Sequence, residues 1–294
     1  MTLEEAIKKV KPLDRNAMDI AQKRWDSIAK PLHSLGKLET LLIQIAGITG
    51  NAEIDLSKRG LIAMCADNGV VEEGVTQTGQ EVTAIVAENF LNYDTSVGVM
   101  CKQNHAEIFP VDMGMITDTK VRTDHKVAYG TKNMTKGPAM TREQAVKGIE
   151  SGIAMVEELK GKGYKILATG EMGIGNTTTS SAVASVLLNQ PVEEMTGRGA
   201  GLTSEGLARK IGAIRKAIKL NQPDPSDAVD VLAKVGGLDI AGMTGVFLGG
   251  AIYGIPVVMD GFISCVSALI AMQICPAAGD YMIASHVSRE PAAH

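Results

Sequence analysis

The sequence predicts an α/β fold: a doubly wound, mostly parallel sheet flanked by helices, three Rossmann-like layers, with a small helical subdomain from the N-terminal region. Three observations carry this reading. Five short apolar runs are continuous rather than alternating, as strands buried on both faces require. Each run ends in a polar or glycine-rich turn, and helical stretches separate the runs. Gly is abundant, at 32 residues, which suits tight strand-to-helix turns.

Residues 1–55 read as helix and form the expected subdomain, with Leu38, Leu41, Leu42 and Ile45 at helical spacing. Residues 56–294 form the expected α/β core. Its first run, Leu61-Ile-Ala-Met-Cys-Ala66, ends at Asp67-Asn68-Gly69. The second, Ala106-Glu-Ile-Phe-Pro-Val111, ends at Asp112-Met113-Gly114. The third, Tyr164-Lys-Ile-Leu-Ala-Thr169, ends at Gly170-Glu171-Met172-Gly173. The fourth, Ile255-Pro-Val-Val-Met259, ends at Asp260-Gly261, and the fifth, Tyr281-Met-Ile-Ala284, at Ser285-His286. Helices are predicted over 80–91, 142–160, 204–219 and 262–274. In such folds ligands bind outside the carboxyl ends of the strands, where these runs carry their polar residues.

Composition narrows the function. Apolar residues make up 45% of the 294, aromatics only 3%, so the core is built from Ala, Val, Ile, Leu and Met. The net charge of −4 and the lack of a clustered basic face argue against nucleic acid as a partner. Cys65, Cys101, Cys265 and Cys275 form no C-x-x-C pair and no zinc spacing, so no metal site is expected. They read as free thiols of a reducing compartment. The stretch Met1 to Asp14 lacks the apolar segment of a signal peptide, and the apolar stretch near 262–274 is too short to span a bilayer. A cytoplasmic protein without a membrane partner is expected.

The chemistry concentrates in Gly170-Glu-Met-Gly-Ile-Gly-Asn-Thr-Thr-Thr-Ser180. Glycines admit a ligand to the backbone, and the helix that opens there offers free N–H groups and a positive dipole end. Hydroxyls of Thr177 and Thr178 add donors. The segment reads as a phosphate cradle, or equally as a tight turn with a Thr cap. Lys210 stands on the edge of an apolar stripe of Leu207, Ile211, Ile214 and Ile218. It either meets an anion or reaches water along its stem. The glycine-rich loop Thr196-Gly-Arg-Gly-Ala-Gly-Leu202 brings Arg198. Among the strand-end carboxylates Asp67, Asp112, Glu171 and Asp260, Glu171 is the most suspect, because an acid does not help to bind phosphate. Ser285 and His286, neighbours in sequence, are expected to face apart and to position substrate or structure rather than form a triad.

Several segments together resemble the nicotinate-nucleotide:dimethylbenzimidazole phosphoribosyltransferase family. They are Leu32-His-Ser-Leu-Gly-Lys-Leu-Glu39, Cys65-Ala-Asp-Asn-Gly-Val70, Gly170-Glu-Met-Gly-Ile-Gly-Asn-Thr-Thr178, Lys234-Val-Gly-Gly-Leu-Asp239, Gly242-Met-Thr-Gly245, Asp260-Gly-Phe262 and Ser285-His-Val-Ser-Arg-Glu290. The resemblance spans essentially the whole chain. It implies attack of a base nitrogen on the anomeric carbon of nicotinate mononucleotide, departure of nicotinate, inversion from β to α, and no cofactor. It implies a nucleotide and phosphate side of Glu171, Gly173, Gly175, Asn176, Thr177 and Lys210. It places Thr78 near the base, and Val86 where some members carry a Gln lining the base pocket, which leaves the preferred base open. It also implies a homodimer. In the family a Gly-Glu-Gly-Thr-Gly segment follows the last match, and its Glu is the general base. No Gly-Glu-Gly occurs in residues 1–294. The expectation is a transferase represented by a shortened chain. The alternatives are an impaired or non-catalytic binding subunit, and an active variant in which Glu171 or another subunit supplies the base.

Overall fold

All five apolar runs form strands in a computed structural model, which describes residues 2–293. Met1 and His294 lie outside the described residues. The strands are β1 (Arg59–Ala66), β2 (Ala106–Gly114), β3 (Ile166–Met172), β4 (Val257–Met259) and β5 (Met282–Ala284). They make one sheet in the order β2-β1-β3-β4-β5, and every neighbouring pair is parallel. The chain leaves β1 toward β2 on one side and returns to β3 on the other. That reversal is the topological switch point of a doubly wound sheet, so a crevice opens at the carboxyl ends of β1 and β3.

β1 explains its own unbroken apolar run. Ile62, Met64 and Ala66 enter the main core, while Ala63 and Cys65 enter a second core on the opposite face. The second core is closed by α4 (Glu81–Asn92) and α5 (Ser96–Gln103) through Ala87, Phe90 and Cys101. The main core is covered by α6 (Arg142–Gly161) and α11 (Leu238–Tyr253).

α11, absent from the helices read from sequence, is buried along nearly its whole length. Its glycines disguise it, since glycine is a poor helix former. They are there because α6 crosses backbone against backbone. A Cβ on Gly245 would lie 2.0 Å from the Ile149 carbonyl oxygen, and one on Gly152 2.0 Å from that of Gly242. The remaining elements that position the site are α7 (Asn176–Leu187), α8 (Val192–Met195), α9 (Ser204–Asn221), α10 (Ala228–Val235) and α12 (Phe262–Ile274).

The first fifty residues are not one helical run. They form α1 (Leu3–Ile7), α2 (Arg15–Ser27) and α3 (Lys37–Thr49), interrupted around Pro12 and Pro31. α2 and α3 pair over Ala17, Ala21 and Ala46, whereas α1 joins the main core through Leu3 and Ala6. α3 is tied to the end of the sheet by Gln44, which donates to the Asp280 and Met282 carbonyls at 2.9 and 3.1 Å. All four cysteines are unpaired, and no described helix is long and apolar enough to cross a membrane.

Candidate active site at the β1–β3 crossover

β3 carries Glu171 near its end and turns through Gly173–Gly175 into α7. The turn admits only glycine at two points. Gly175 has φ 95°, a left-handed conformation. A Cβ on Gly173 would lie 2.4 Å from Asp239 Oδ2 and 2.6 Å from the Ala66 carbonyl. Thr83 of α4 accepts the Ile174 N–H at 3.1 Å and fixes the turn. The first turn of α7 faces the crevice, with the Asn176 and Thr178 N–H groups closed onto the Gly173 and Gly175 carbonyls at 3.0 and 2.9 Å.

Behind the turn sits a carboxamide between two acids. Asn176 is buried, and its Nδ2 donates to Asp239 Oδ2 at 3.0 Å and to Glu171 Oε2. Asp239 opens α11 and is fully buried. Burial pushes Glu171 up to about 8; the Asp239 charge adds to this and the Asn176 hydrogen bond opposes it. Burial likewise pushes Asp239 up to about 6. Asn68, also buried, packs against the pair from the end of β1, within reach of Gly173 and Gly237. Buried acids perturbed in this way beside a crevice mark a candidate site.

Lys210 lies on the other side of the turn. Its exposure is 0%, so its head does not reach water. Nζ donates to Thr177 Oγ1 at 2.9 Å and to the Gly197 carbonyl at 3.1 Å. Burial pulls the ammonium down to about 8, with Glu290 opposing. Of the two roles open to Lys210 in the sequence, reaching water along its stem is excluded by its burial; the head lies behind Thr177, against the Gly197 carbonyl. Arg198 braces its own loop, donating to the Leu202 carbonyl at 2.7 Å and to Ser204 Oγ at 3.1 Å, and stays exposed at the rim.

Three adjoining hollows result. One of about 130 Å³ is lined by Thr78, Gly173, Gly175, Asn176, Thr177 and Arg198, among others. One of about 300 Å³ shares Thr177 and adds Glu171, Gly199, Asp260, Phe262 and Glu290. One of about 250 Å³ shares Glu171 and Asp260 and is otherwise largely apolar, with Leu61, Ala63, Phe90, Val97 and Met100. Thr177 is common to the first two hollows, and Glu171 and Asp260 to the last two, so the three adjoin around these side chains.

A family model described as phosphoribosyltransferase matches residues 10–294. The chain belongs to that family. It is 52% identical over 293 residues to the nicotinate-nucleotide–dimethylbenzimidazole phosphoribosyltransferase of Ruminiclostridium cellulolyticum, covering 99% of this chain and 83% of the relative. It is 47% identical to the protein of that name from Clostridium tetani, covering 98% and 80%. The crystal structure of CobT from Thermus thermophilus superposes with a TM-score of 0.88 at 34% identity, covering 95% of this chain and 84% of that one.

Within this phosphoribosyltransferase the residues singled out from sequence divide in two. Glu171, Gly173, Gly175, Asn176, Thr177, Thr78, Arg198, Lys210 and Asp260 converge on the crevice. Asp67 does not. It is buried and accepts the Ile116 N–H at 2.8 Å, tying β1 to the loop after β2. Val86, on α4, packs against the second core and lines none of the three hollows. Thr178 is no donor to the cradle; its buried hydroxyl finds no partner.

Ser285 and His286 do face each other, contrary to expectation, with Oγ and Nδ1 2.8 Å apart. The pleat that sends neighbours to opposite faces has ended at Ala284. Ser285 Oγ spends its proton on the Met259 carbonyl at 2.6 Å, so the imidazole must donate and the pair is no activated nucleophile. His286 Nε2 is instead held over Gly261, beside Asp260.

Sequence reasoning left out Asn68, Asp239 and Glu290. Asp239 had a readable signal: it is the sole charge in the stretch 238–253. Asn68 had none, being one of two polar residues after a strand.

Proposed function

We propose that this phosphoribosyltransferase moves the phosphoribosyl group of nicotinate mononucleotide onto 5,6-dimethylbenzimidazole or a related base. The products are nicotinate and α-ribazole 5′-phosphate, for assembly of the cobalamin nucleotide loop. The relatives' names support the substrates, and one geometric observation carries the reading: Thr177 joins the Lys210 anion seat to the hollow that holds Glu171. A phosphate on the α7 turn, with Lys210 beneath it, would set the ribose beside Glu171 and Asp260. The apolar slot beyond Glu171 suits a flat aromatic base.

The chemistry follows from charge. The base nitrogen forms a bond to the anomeric carbon from the face opposite the pyridine. The C–N bond to the pyridinium breaks, and its electron pair neutralises the departing ring. Positive charge passes through the anomeric carbon, where a carboxylate in a low-dielectric wall is most effective. Glu171, held protonated at neutral pH by its burial, is drawn toward ionisation by the cationic pyridinium. It then stabilises the transition state and stands ready to take the proton the base loses.

Incubation with both substrates, with products separated by chromatography, is expected to show stoichiometric nicotinate and α-riboside. Nicotinate release without riboside, or β-riboside, would overturn the reading. The chain is further proposed to act as a cytoplasmic homodimer, on the support of its unpaired thiols and of exposed Ile85, Val99 and Met100 on α4 and α5. Sedimentation at micromolar concentration should give the dimer mass; a monomer alone would contradict it.

A further inference from the structure

We propose that Glu290 sets the anion specificity of the phosphate seat, as an internal carboxylate that a bare anion cannot displace and a nucleotide can. The inference rests on reading Lys210, Thr177 and the α7 turn as that seat.

Glu290 reaches the seat from the segment after β5. Its Oε1 accepts the Gly199 N–H at 3.0 Å. Its Oε2 is buried without a partner. The carboxylate presses so closely on the glycine loop that a Cβ on Gly197 would lie 2.0 Å from Oε2. Gly197 is the residue whose carbonyl receives Lys210, and Gly199 abuts Thr177, whose Oγ1 would lie 2.9 Å from a Cβ there. The segment is braced by Ser288, which accepts the Glu290 N–H at 3.2 Å. Glu290 thus holds a backbone donor that an incoming phosphate needs, and puts a negative charge where a second one must come.

The buried Oε2 accepts no hydrogen bond; its charge favours the Lys210 ammonium from a distance, and a carboxylate left unpaired beside the seat needs a further reason. Specificity supplies one. A free inorganic anion must displace Glu290, or tolerate its charge, using the seat alone. A nucleotide has the ribose and pyridine contacts as well and can offset that cost from remote binding. The seat therefore discriminates against inorganic phosphate.

Calorimetric titration with inorganic phosphate tests this on the wild type, Glu290→Gln and Glu290→Asp. Gln keeps the acceptor for Gly199 and removes the charge. Asp keeps the charge and withdraws it by one methylene, which covers the case in which one variant fails to fold. Inorganic phosphate should bind Glu290→Gln about tenfold more tightly than wild type, because a like charge has been removed. Glu290→Asp should gain less. KM for nicotinate mononucleotide should fall by less than the phosphate Kd, so discrimination shrinks. Phosphate binding that is unchanged or weaker in both variants overturns the inference, leaving Glu290 a brace for the loop. A separate control isolates the underlying reading. If the wild type binds nicotinate mononucleotide no better than its phosphate-free riboside, the seat itself is misplaced and the inference falls with it.

Discussion

Glu171→Gln is expected to lower kcat for phosphoribosyl transfer by about 10²- to 10³-fold, the usual scale for removing one electrostatic group from a preorganised site, with nucleotide affinity within about threefold of wild type. Gln preserves shape and can still accept the Asn176 N–H, so the Asn176–Asp239 arrangement should survive. What is lost is the negative charge facing the anomeric carbon. If substrate affinity falls as steeply as kcat, Glu171 is a binding group and the transition-state role fails. Turnover equal to wild type would eliminate it from the chemistry altogether.

The same substitution makes a stability forecast with a definite sign. The Glu171 carboxyl sits at about 8 in the folded protein against a reference of 4.5. A carboxylate raised on folding binds its proton more tightly in the native state, so ionising it opposes folding. The penalty is absent below about pH 4.5, accrues as pH rises toward 8, and is complete above it. Glu171→Gln should therefore be more stable than wild type by about 2–4 kcal/mol at pH 9, and nearly equal to it at pH 4.5. Melting curves at the two pH values check this. A Gln variant less stable at pH 9 would mean that the carboxylate is paired rather than desolvated. An acid that weakens the resting fold while serving the reaction is the stability cost expected of an active site.

Much of this was legible in the chain itself, for identifiable reasons. The continuous run Leu61–Ala66 announced a strand buried on both faces, and the split of Ile62 and Met64 from Ala63 and Cys65 is what such a run looks like in space. Glu171 and Lys210 were visible because charge is conspicuous amid apolar neighbours. α11 was hidden because its glycines answer to α6, a partner distant in sequence. At Asp67 and Asn68 the choice between neighbours failed for a related reason. Which of two polar residues after a strand faces the crevice depends on how the chain leaves the sheet. Here Asp67 accepts from Ile116, while Asn68 packs toward Gly173. Glu290 was hidden by distance, since its target loop lies at 197–199. Local pattern finds elements and lone charges; long-range steric and hydrogen-bond demands assign the pairs.

Lys210→Met separates binding from stability most sharply. Removing a charge-assisted partner from a buried anion seat should weaken nicotinate mononucleotide by about 100-fold, read as KM or calorimetric Kd. Stability should barely move, because two effects oppose. The ammonium, fully buried and pulled down to about 8 from 10.5, destabilises the fold at neutral pH. That cost is complete below about pH 8 and fades as pH rises toward 10.5, where the unfolded lysine also sheds its proton. Met of similar volume relieves it but leaves the Gly197 carbonyl unpaired, a loss of about 1–3 kcal/mol. The two are of the same order, so the unfolding free energy at pH 7 should stay within about 1 kcal/mol of wild type. In wild type, phosphate binding near pH 8–9 should take up a proton, because a bound anion returns Lys210 to its charged form; the heat of binding should then vary with buffer ionisation enthalpy. In the Met variant that uptake should vanish. If nucleotide affinity survives in Lys210→Met, the ammonium serves only the Gly197 loop and the anion seat must be sought elsewhere in the crevice.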